Sequence, residues 1–151
     1  MKFTSELQTF LTKNEGKKIV FTNGCFDLLH RGHVTYLNEA RSIGELLVVG
    51  MNSDASVSKL KGTERPVVKE QDRKFVLENL KSVSFVEIFD EPTPLNLILA
   101  VRPSVLVKGG DWPVDKIVGA REVLGWGGQV KTLSFVTGFS TSNLISKILT
   151  L

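Results

Sequence analysis

The two histidines of the chain, His30 and His33, lie three residues apart. Residues at this spacing lie on one face of a helix, so both rings can point the same way. Gly32 between them has no side chain that would keep a ligand away. If a helix begins here, its free backbone N–H groups and the two imidazoles together suit a phosphate group.

The residues just before the histidines favour a ligand site over a chance pairing. Asn23, Gly24 and Asp27 crowd the same short segment. A metal site is less favoured, because Asp27 is the one carboxylate nearby and too few ligands remain to complete a coordination shell. Phosphate binding is therefore the leading hypothesis for this segment.

The hydrophobic pattern predicts the elements that position the segment. Short apolar runs rich in Val, Ile and Phe predict strands buried on both faces, and they cover residues 19–22, 46–51, 85–89, 105–107 and 130–133. Between and after them, apolar residues recur at helical spacing, and a short leading helix is predicted over residues 3–11. The helical groups are Val34, Leu37 and Ala40; Val76, Leu77 and Leu80; Leu95, Ile98 and Leu99; Ile117, Ala120 and Leu124; and Leu144, Ile145, Ile148 and Leu149.

Alternating strands and helices are typical of an open parallel sheet covered by helices on both faces. We therefore predict an α/β fold with a Rossmann-like, doubly wound, parallel five-stranded sheet. The 151 residues fit a single domain, with a leading helix in residues 1–16 and the core in 17–151. Ligands bind such sheets beyond the carboxyl ends of the strands, where strand order reverses. The segments expected at this edge are 23–33, 52–65, 90–94, 108–112 and 134–141.

Composition and charge exclude several classes of protein. A net charge of +3 suits an anionic ligand, but the dense basic runs and aromatic series of a nucleic-acid groove are missing. The single cysteine, Cys25, excludes internal disulfides and fits a reducing compartment. No apolar stretch approaches the roughly 20 residues of a membrane helix, and the N-terminus does not resemble a signal peptide. We therefore expect a cytoplasmic protein that binds neither nucleic acid nor membranes.

The histidine segment resembles the signature of a known enzyme superfamily. Residues 23–27 (Asn-Gly-Cys-Phe-Asp) and 30–33 (His-Arg-Gly-His) are similar to the HxGH nucleotidyltransferases, which include cytidylyltransferases and small adenylyltransferases. Walker, dinucleotide-binding and GxSxG motifs are absent from the sequence. Further segments are similar to the D-glycero-D-manno-heptose 1-phosphate adenylyltransferases, so the resemblance runs from about residue 17 to the end: 52–54, 61–67, 108–111, 127–130 and 138–142.

This resemblance implies a fold of the HxGH nucleotidyltransferase type and a specific reaction. The enzyme would transfer AMP from ATP, with Mg²⁺, to D-glycero-D-manno-heptose 1-phosphate, giving ADP-heptose and pyrophosphate for lipopolysaccharide core or other surface-glycan synthesis. The alternative is a cytidylyltransferase or adenylyltransferase acting on glycerol 3-phosphate, FMN or another phosphorylated acceptor. A third hypothesis is a nucleotide-binding or nucleic-acid-binding module without turnover. The resemblance also implies a homodimer and, because many relatives carry a fused sugar kinase, a separate heptose kinase as pathway partner.

The resemblance also implies roles for individual residues. His33, deeper at the helix start, is expected to take the larger part in catalysis, and metal ligands stay unassigned. The predicted catalytic residues are His30, His33, Lys61 and Arg65. The predicted nucleotide-binding residues are Asn23, Gly24, Cys25, Phe26, Asp27, His33, Lys108, Gly138, Ser140 and Thr141. The predicted acceptor-binding residues are Asp27, Asn52, Asp54, Lys61, Arg65, Gly110 and Asp111.

Alternatives stay open for several residues. Asp27 would hold the ribose, the sugar or Mg²⁺, or would cap the nearby helix. Cys25 is expected to be a small packed thiol, because phosphodiester formation has no use for a nucleophilic thiol. Trp112 and Trp126 are either substrate walls or core or dimer contacts. Three lysines are expected to face solvent: Lys59, Lys74 and Lys116.

Two positions depart from the patterns of the relatives. The similar cytidylyltransferases carry Arg-Thr-Glu-Gly-Ile-Ser where residues 135–140 of this chain read Phe-Val-Thr-Gly-Phe-Ser. Phe135 in place of that arginine disfavours cytidylyl transfer. Arg73 is predicted to be one of the cations of the site. The family that this chain resembles usually has Glu two residues before this arginine. Gln71 occupies that position here, which puts one ion pair in doubt but leaves the chemistry unaffected.

Overall fold

The computed structural model describes residues 3–151, so the first two residues of the predicted leading segment 1–16 lie outside the described residues. The strands are β1 (Ile19–Gly24), β2 (Leu46–Asn52), β3 (Phe85–Phe89), β4 (Val105–Gly109) and β5 (Gln129–Leu133). The helices are α1 (Ser5–Lys13), α2 (Arg31–Ser42), α3 (Asp54–Lys61), α4 (Glu70–Glu78), α5 (Leu95–Val101), α6 (Ala120–Gly125) and α7 (Thr141–Leu149), and a 3₁₀ turn covers Val114–Lys116. Within residues 3–151, none of the helices is long and apolar enough to cross a membrane.

The five strands form one parallel sheet in the order β3-β2-β1-β4-β5. From β1 the chain builds one half of the sheet through β2 and β3, and then crosses to the other side for β4 and β5. Strand order therefore reverses between β1 and β4, where doubly wound sheets bind ligands. The predicted doubly wound, parallel five-stranded sheet is confirmed.

The sheet separates two apolar clusters, one on each face. In β1, Ile19 and Phe21 pack with residues of α1, α5 and α6, whereas Val20 packs with residues of α2 and α4. Val20 and Phe21 are fully buried. Burying a side chain of this size contributes about 1.5–3 kcal/mol. The packed sheet thus provides a firm platform for the residues at its carboxyl edge.

The sheet opens where strand order reverses. β1 and β4 pair only through Val20 and Phe21. Past that point β1 continues beside β2 to Gly24, and β4 continues beside β5 to Gly109. The two central strands therefore part before they end, and a crevice forms between their carboxyl ends.

Two elements differ from the sequence prediction. β5 is an edge strand with Gln129, Lys131 and Thr132 exposed, so the prediction that it is buried on both faces is wrong. The predicted helical group of Ile117, Ala120 and Leu124 is also wrong. Gly119 adopts φ +84° at the start of α6, so Ile117 lies before the helix rather than on its face.

Two further helices depart from the predicted pattern, and a third, α7, forms as predicted but leaves much of its apolar face exposed. α3 lies within the segment 52–65, for which the hydrophobic pattern predicts no helix. In α4 the buried positions belong to Arg73 and Leu77, while Val76 is exposed and Leu80 follows the end of the helix. α7 has no fully buried residue, and of its apolar residues Leu144 and Ile145 are half-buried while Ile148 and Leu149 are exposed.

α1 is docked on the sheet by a buried carboxylate. Glu87 in β3 is 1% exposed. Its Oε1 accepts the backbone N–H of Thr4, and its Oε2 accepts the Thr4 hydroxyl, both at 2.8 Å. Because Thr4 is also the N-cap of α1, these two bonds fix the position of the helix.

Replacing Glu87 by alanine should therefore loosen α1. The donors of Thr4 would lose their charged acceptor, and we expect the free energy of unfolding to fall by about 1–3 kcal/mol. Urea unfolding would measure the change. The control is Glu78→Ala, which removes a surface pair with Lys74 worth about 0.3–0.5 kcal/mol. Equal losses in the two variants would contradict the docking role of Glu87.

Candidate active site

A cleft of about 940 Å³ opens at the carboxyl edge of the sheet, where the sequence places the ligand. Most of the predicted site residues line it: Asn23, Gly24, Cys25, Phe26, Asp27, His30, His33, Asn52, Lys61, Arg65, Lys108, Ser140 and Thr141. Four predicted residues are not part of this lining: Asp54, Gly110, Asp111 and Gly138.

Tyr36 of α2 lines the cleft and bridges the parted strands. Its hydroxyl lies 2.6 Å from Oγ1 of Thr22 in β1 and donates to the carbonyl of Val107 in β4 at 3.5 Å. Burial raises the pKa of Tyr36 to about 12, so the hydroxyl stays protonated and neutral. Tyr36 was not predicted as a site residue, because a lone tyrosine on a helical face carries no signal of a cross-strand contact.

His30 and His33 form the N-terminal cap of α2. Nδ1 of His30 accepts the backbone N–H of Gly32 at 3.1 Å, and Nδ1 of His33 accepts the backbone N–H of His30 at 3.3 Å. This is a reciprocal capping box built from two imidazoles. The ring centroids are 4.0 Å apart. The helix cap thus fixes the two rings side by side.

The cap also determines which ring nitrogen carries the proton. A neutral imidazole has one donor and one acceptor nitrogen, and Nδ1 of each ring acts as the acceptor. The proton of His30 and of His33 therefore lies on Nε2. The cleft receives two neutral N–H donors beside the positive end of the α2 dipole, which is an arrangement suited to phosphate oxygens.

Both imidazoles are neutral near pH 7. Burial, with a smaller contribution from neighbouring His30, lowers the pKa of His33 from 6.5 to about 4. Burial also lowers the pKa of His30 below its ordinary value. Protonation would place a second proton on Nδ1 and break the bond that this atom accepts. The neutral state and the helix cap therefore support each other.

Mild acid should destabilise the protein through His33. In the unfolded chain this residue titrates near 6.5, whereas in the folded state its pKa is about 4. Between these values the unfolded state binds more protons. The stabilising contribution of neutral His33 is therefore complete above pH 6.5. The free energy of unfolding should fall as the pH drops from 6.5 toward 4. Urea titrations across this window would show a shallower slope for His33→Gln, and an unchanged slope would contradict the assignment.

Asp27 attaches the loop of residues 62–68 to the cleft. Its Oδ2 accepts Arg65 Nε at 2.7 Å and the Val67 N–H at 2.9 Å, and its Oδ1 accepts the Val68 N–H at 2.8 Å. Burial would raise the pKa of Asp27, but the bonds from Val68, Val67 and Arg65 outweigh it and hold the pKa below 3.8. The helix cap considered for Asp27 is not observed, since His30 caps α2. Its carboxylate instead holds Arg65 at the cleft.

Arg73 is a buried clamp beneath the site, with a side chain that is 0% exposed. Its Nη1 donates to the carbonyls of Cys25 at 2.6 Å and Asn52 at 2.9 Å. Its Nη2 donates to Asp54 Oδ1 at 2.8 Å, and its Nε to the carbonyl of Val68 at 2.9 Å. One guanidinium thus joins the ends of β1 and β2, the start of α3 and the loop of residues 62–68. Its charge is used inside the protein rather than on a ligand.

The pairing of Arg73 explains two of the sequence observations. Asp54, predicted to bind the acceptor, lies outside the cleft lining because its carboxylate faces Arg73. Gln71 is exposed, so Asp54 rather than a residue at position 71 supplies the ion pair. One feature of the sequence indicates that Arg73 is buried. It lies four residues before Leu77, on the buried face of α4.

The N-terminus of α7 opens into the same cleft as that of α2. Ser140 is the N-cap of α7, and its Oγ accepts the Asn143 N–H at 3.0 Å. Thr141 Oγ1 donates to the carbonyl of Leu28 at 3.1 Å. Ser140 and Thr141 line the cleft. Two helix N-termini, each with free N–H groups, therefore share one cleft.

The two tryptophans have different places. Trp112 lines the cleft, with Lys108 Nζ 5.9 Å from its ring centroid. Trp126 packs against the core, and its Nε1 donates to the carbonyl of Pro103 at 3.0 Å. Of the two, only Trp112 can serve as a wall of the cleft.

Phe135 lies over the two glycines that end and follow β4. A Cβ added to Gly109 or Gly110 would lie 2.8 or 2.9 Å from the Phe135 ring. Gly110 also has φ +92°, which disfavours any other residue. These glycines thus allow the end of β4 to pass directly beneath the aromatic ring at the cleft.

The cleft provides neither an activated thiol nor a dedicated metal cage. Burial raises the pKa of Cys25, which agrees with a packed thiol. Within residues 3–151 no cluster of three or more His, Cys, Asp or Glu side chains is placed to hold a metal ion. The carboxylate of the lining, Asp27, already accepts three bonds. This carboxylate is therefore not free to hold a metal ion by itself.

Similar proteins share most of this chain. The bifunctional protein HldE of Geobacter sulfurreducens is 56% identical over 137 residues, which are 91% of this chain and 28% of that protein. The protein of the same name from Geotalea uraniireducens is 57% identical over 138 residues, again 91% and 28%. The chain thus spans 28% of the length of these relatives.

Solved structures with the same fold include a lipopolysaccharide core biosynthesis protein from Thermoplasma volcanium. It has a TM-score of 0.64 and 28% identity, over 80% of this chain and 98% of that one. Pantothenate synthetase from Thermus thermophilus has a TM-score of 0.65 at 14% identity, over 95% of this chain and 67% of that one, and it shows the fold alone. The family model described as cytidylyltransferase-like matches residues 21–147. This range contains both histidines and the N-termini of α2 and α7. The chain belongs to the cytidylyltransferase-like family and is a nucleotidyltransferase, as the histidine segment implied.

Proposed function

We propose that this nucleotidyltransferase transfers AMP from ATP to D-glycero-D-manno-heptose 1-phosphate. The observation that carries the proposal is the pair of imidazoles of His30 and His33, whose Nδ1 atoms cap the start of α2 in a cleft that α7 also enters. Two positive helix ends beside two imidazoles suit a triphosphate. The HldE relatives and the lipopolysaccharide core biosynthesis structure support the heptose acceptor. The product, ADP-heptose, would serve lipopolysaccharide core or another surface glycan.

The reaction is a single displacement at the α-phosphorus of ATP. A phosphate oxygen of the sugar forms a bond to this phosphorus. The bond from the phosphorus to the bridging oxygen breaks, and pyrophosphate leaves with the electron pair. No covalent enzyme intermediate is needed, so the protein acts by positioning and by stabilising the spreading negative charge. His30 and His33 donate their Nε2–H groups to the phosphate oxygens, with the larger part for the more deeply buried His33.

The cations and α7 hold the rest of the phosphate chain. Lys61, Arg65 and Lys108 line the cleft and supply positive charge. We assign the β- and γ-phosphates to the N-terminus of α7, where the Ser140 hydroxyl accepts a backbone bond and still has a proton to donate. The proton of the Thr141 hydroxyl is already donated to Leu28, so Thr141 contributes its backbone.

Asp27 acts through Arg65 in this proposal. Both of its carboxylate oxygens are engaged inside the protein, so a positioning role replaces direct contact with the ribose, the sugar or Mg²⁺. Arg65 is bonded to Asp27 through Nε alone, which leaves its terminal nitrogens to serve the sugar phosphate. When bound as the counter-ion of ATP, Mg²⁺ would offset phosphate charge.

Backbone and polar groups complete the proposed substrate contacts. The loop of residues 24–26 and Asn23 would cradle the nucleotide, with Gly138 leading into the phosphate site. Asn52 faces the acceptor from the end of β2. Gly110 and Asp111 follow directly after the cleft residue Gly109, and we retain them for the sugar hydroxyls. Asp54 acts indirectly, through Arg73.

The wider context follows from the substrates. The sugar 1-phosphate must come from a kinase reaction, and the relatives named bifunctional support a heptose kinase as the pathway partner. We place the reaction in the cytoplasm, where ATP is made, and treat residues 1–151 as one catalytic domain. A homodimer fits the apolar residues Ile148 and Leu149, which α7 leaves exposed.

A pyrophosphate-release screen tests the function. ATP and CTP are each combined with heptose 1-phosphate, other sugar 1-phosphates, glycerol 3-phosphate and FMN. Release is expected with ATP and a sugar 1-phosphate, most rapidly with the heptose, and His33→Gln serves as the control for contaminating activity. Release with CTP and glycerol 3-phosphate, and none with ATP and any sugar phosphate, would establish the alternative. No release with any pair would favour a nucleotide-binding module without turnover.

A further inference from the structure

Four aromatic rings from separate parts of the chain form a continuous series through the active site. Phe26, in the loop after β1, lies 5.7 Å from His33 between ring centroids. His33 lies 4.0 Å from His30, and His30 lies 6.0 Å from Phe139, in the loop before α7. The last pair is stacked with an interplanar angle of 26°. His30 therefore packs against both His33 and Phe139.

The same two segments meet again at Gly32. A Cβ added there would lie 2.9 Å from the His30 ring and 3.0 Å from Cβ of Phe139. His30 and Phe139 thus close over Gly32 and leave no room for a side chain. The bond from Thr141 to the Leu28 carbonyl adds a third link. The start of α7 is fastened to the start of α2 by a ring stack, a close contact and a hydrogen bond.

Phe139 is not a core residue. Its side chain is 41% exposed and it lines the cleft. Because so much of the ring stays in contact with solvent, burial alone does not account for its place beside His30. We propose that Phe139 is a positioning residue for nucleotidyl transfer, whose ring fixes the His30 imidazole and couples the two helix N-termini that hold the triphosphate. This inference rests on the proposed function.

The stack also places the Phe139 ring where it should affect the charge of His30. Burial lowers the pKa of this imidazole, and the Phe139 ring covers part of it from solvent. The titratable neighbour that faces His30 is His33. The charged groups that share the cleft are Asp27, Lys61, Arg65 and Lys108. Removing the Phe139 ring exposes the imidazole, raises its pKa toward the ordinary 6.5 and favours the protonated form that breaks the cap.

Kinetics of position 139 variants form the first part of the test. Phe139→Ala should lower kcat with ATP and the accepted sugar phosphate by about tenfold to 10²-fold, the range expected when a catalytic group is misplaced by about 1 Å. KM for ATP should change less than kcat. Phe139→Tyr keeps the ring and should restore the wild-type rate. The control is Phe75→Ala, which removes an exposed ring of α4 outside the cleft.

An NMR titration of the two histidines forms the second part and requires no turnover. The pKa of His30 should rise in Phe139→Ala and stay at its wild-type value in Phe139→Tyr and Phe75→Ala. If the wild-type protein releases no pyrophosphate, this titration alone decides whether Phe139 positions His30. An unchanged His30 titration, or a shifted titration with unchanged kcat, overturns the inference. Phe139→Leu, which retains apolar bulk without a ring, replaces Phe139→Ala if the alanine variant does not fold.

Discussion

His33→Gln should lower kcat for pyrophosphate release by about 10²–10³, the usual effect of losing one preorganised donor at the developing charge. The Nε2–H group of His33 is held in place because its Nδ1 accepts the His30 N–H at 3.3 Å. Glutamine is chosen because it occupies the same third helical position in natural capping boxes. The variant should therefore stay folded, and a lower rate at an unchanged melting temperature would locate the effect in the chemistry.

His30→Asn is the matched variant for this experiment. Asparagine is a favoured N-cap residue, so it can accept the Gly32 N–H that His30 accepts at 3.1 Å. We expect a smaller loss of kcat than in His33→Gln, because burial lowers the pKa of His33 to about 4 and marks it as the deeper ring. If His33→Gln turns over at the wild-type rate, the imidazole acts only as a helix cap.

The α2 side of the site could be predicted because its residues are contiguous. The apolar run that begins at Ile19 predicts a strand, and the chain must leave that strand at the carboxyl edge of the sheet. The segment from Asn23 to His33 then lies at this edge whatever the rest of the chain does. A cap at Ser140 or Thr141 could be predicted for a different reason, since a serine or threonine before an apolar helical pattern is a common N-cap.

The supports beneath the site could not be predicted, because their partners are backbone groups far away in sequence. Asp27 bonds the N–H groups of Val67 and Val68, 40 and 41 residues further along the chain. Any residue except proline offers the same N–H, so no sequence pattern reveals the contact. The residue types alone do not show whether Asp27 positions other groups of the protein or binds the substrate.

α3 was missed for a different reason. Its sequence, Asp-Ala-Ser-Val-Ser-Lys-Leu-Lys, buries Ser56 and Val57 and leaves Leu60 exposed at the cleft. A helix whose buried face includes a serine shows little hydrophobic periodicity. The hydrophobic pattern therefore predicts no helix here, although α3 carries Lys61 to the cleft as its last helical residue.

Arg73→Met should lower the free energy of unfolding by about 3–5 kcal/mol, the usual cost of removing one partner from a buried charged network. Methionine keeps an apolar stem of similar length, so the loss reports the guanidinium rather than the volume. The carbonyls of Cys25, Asn52 and Val68 would lose their donor, and each unsatisfied buried acceptor costs about 1–3 kcal/mol. Since domains of this kind are stable by about 5–15 kcal/mol, the variant should unfold at much lower urea concentration.

Two further variants separate the clamp from a simple ion pair. Asp54→Asn removes one of the four bonds of Arg73, whereas the other three go to backbone carbonyls. It should therefore cost clearly less than Arg73→Met. Lys74→Met removes a surface charge from the next position of α4 and should change stability by no more than about 0.5 kcal/mol. If Arg73→Met costs no more than Lys74→Met, the ends of β1 and β2 keep their places without the clamp, and strand pairing alone positions the site.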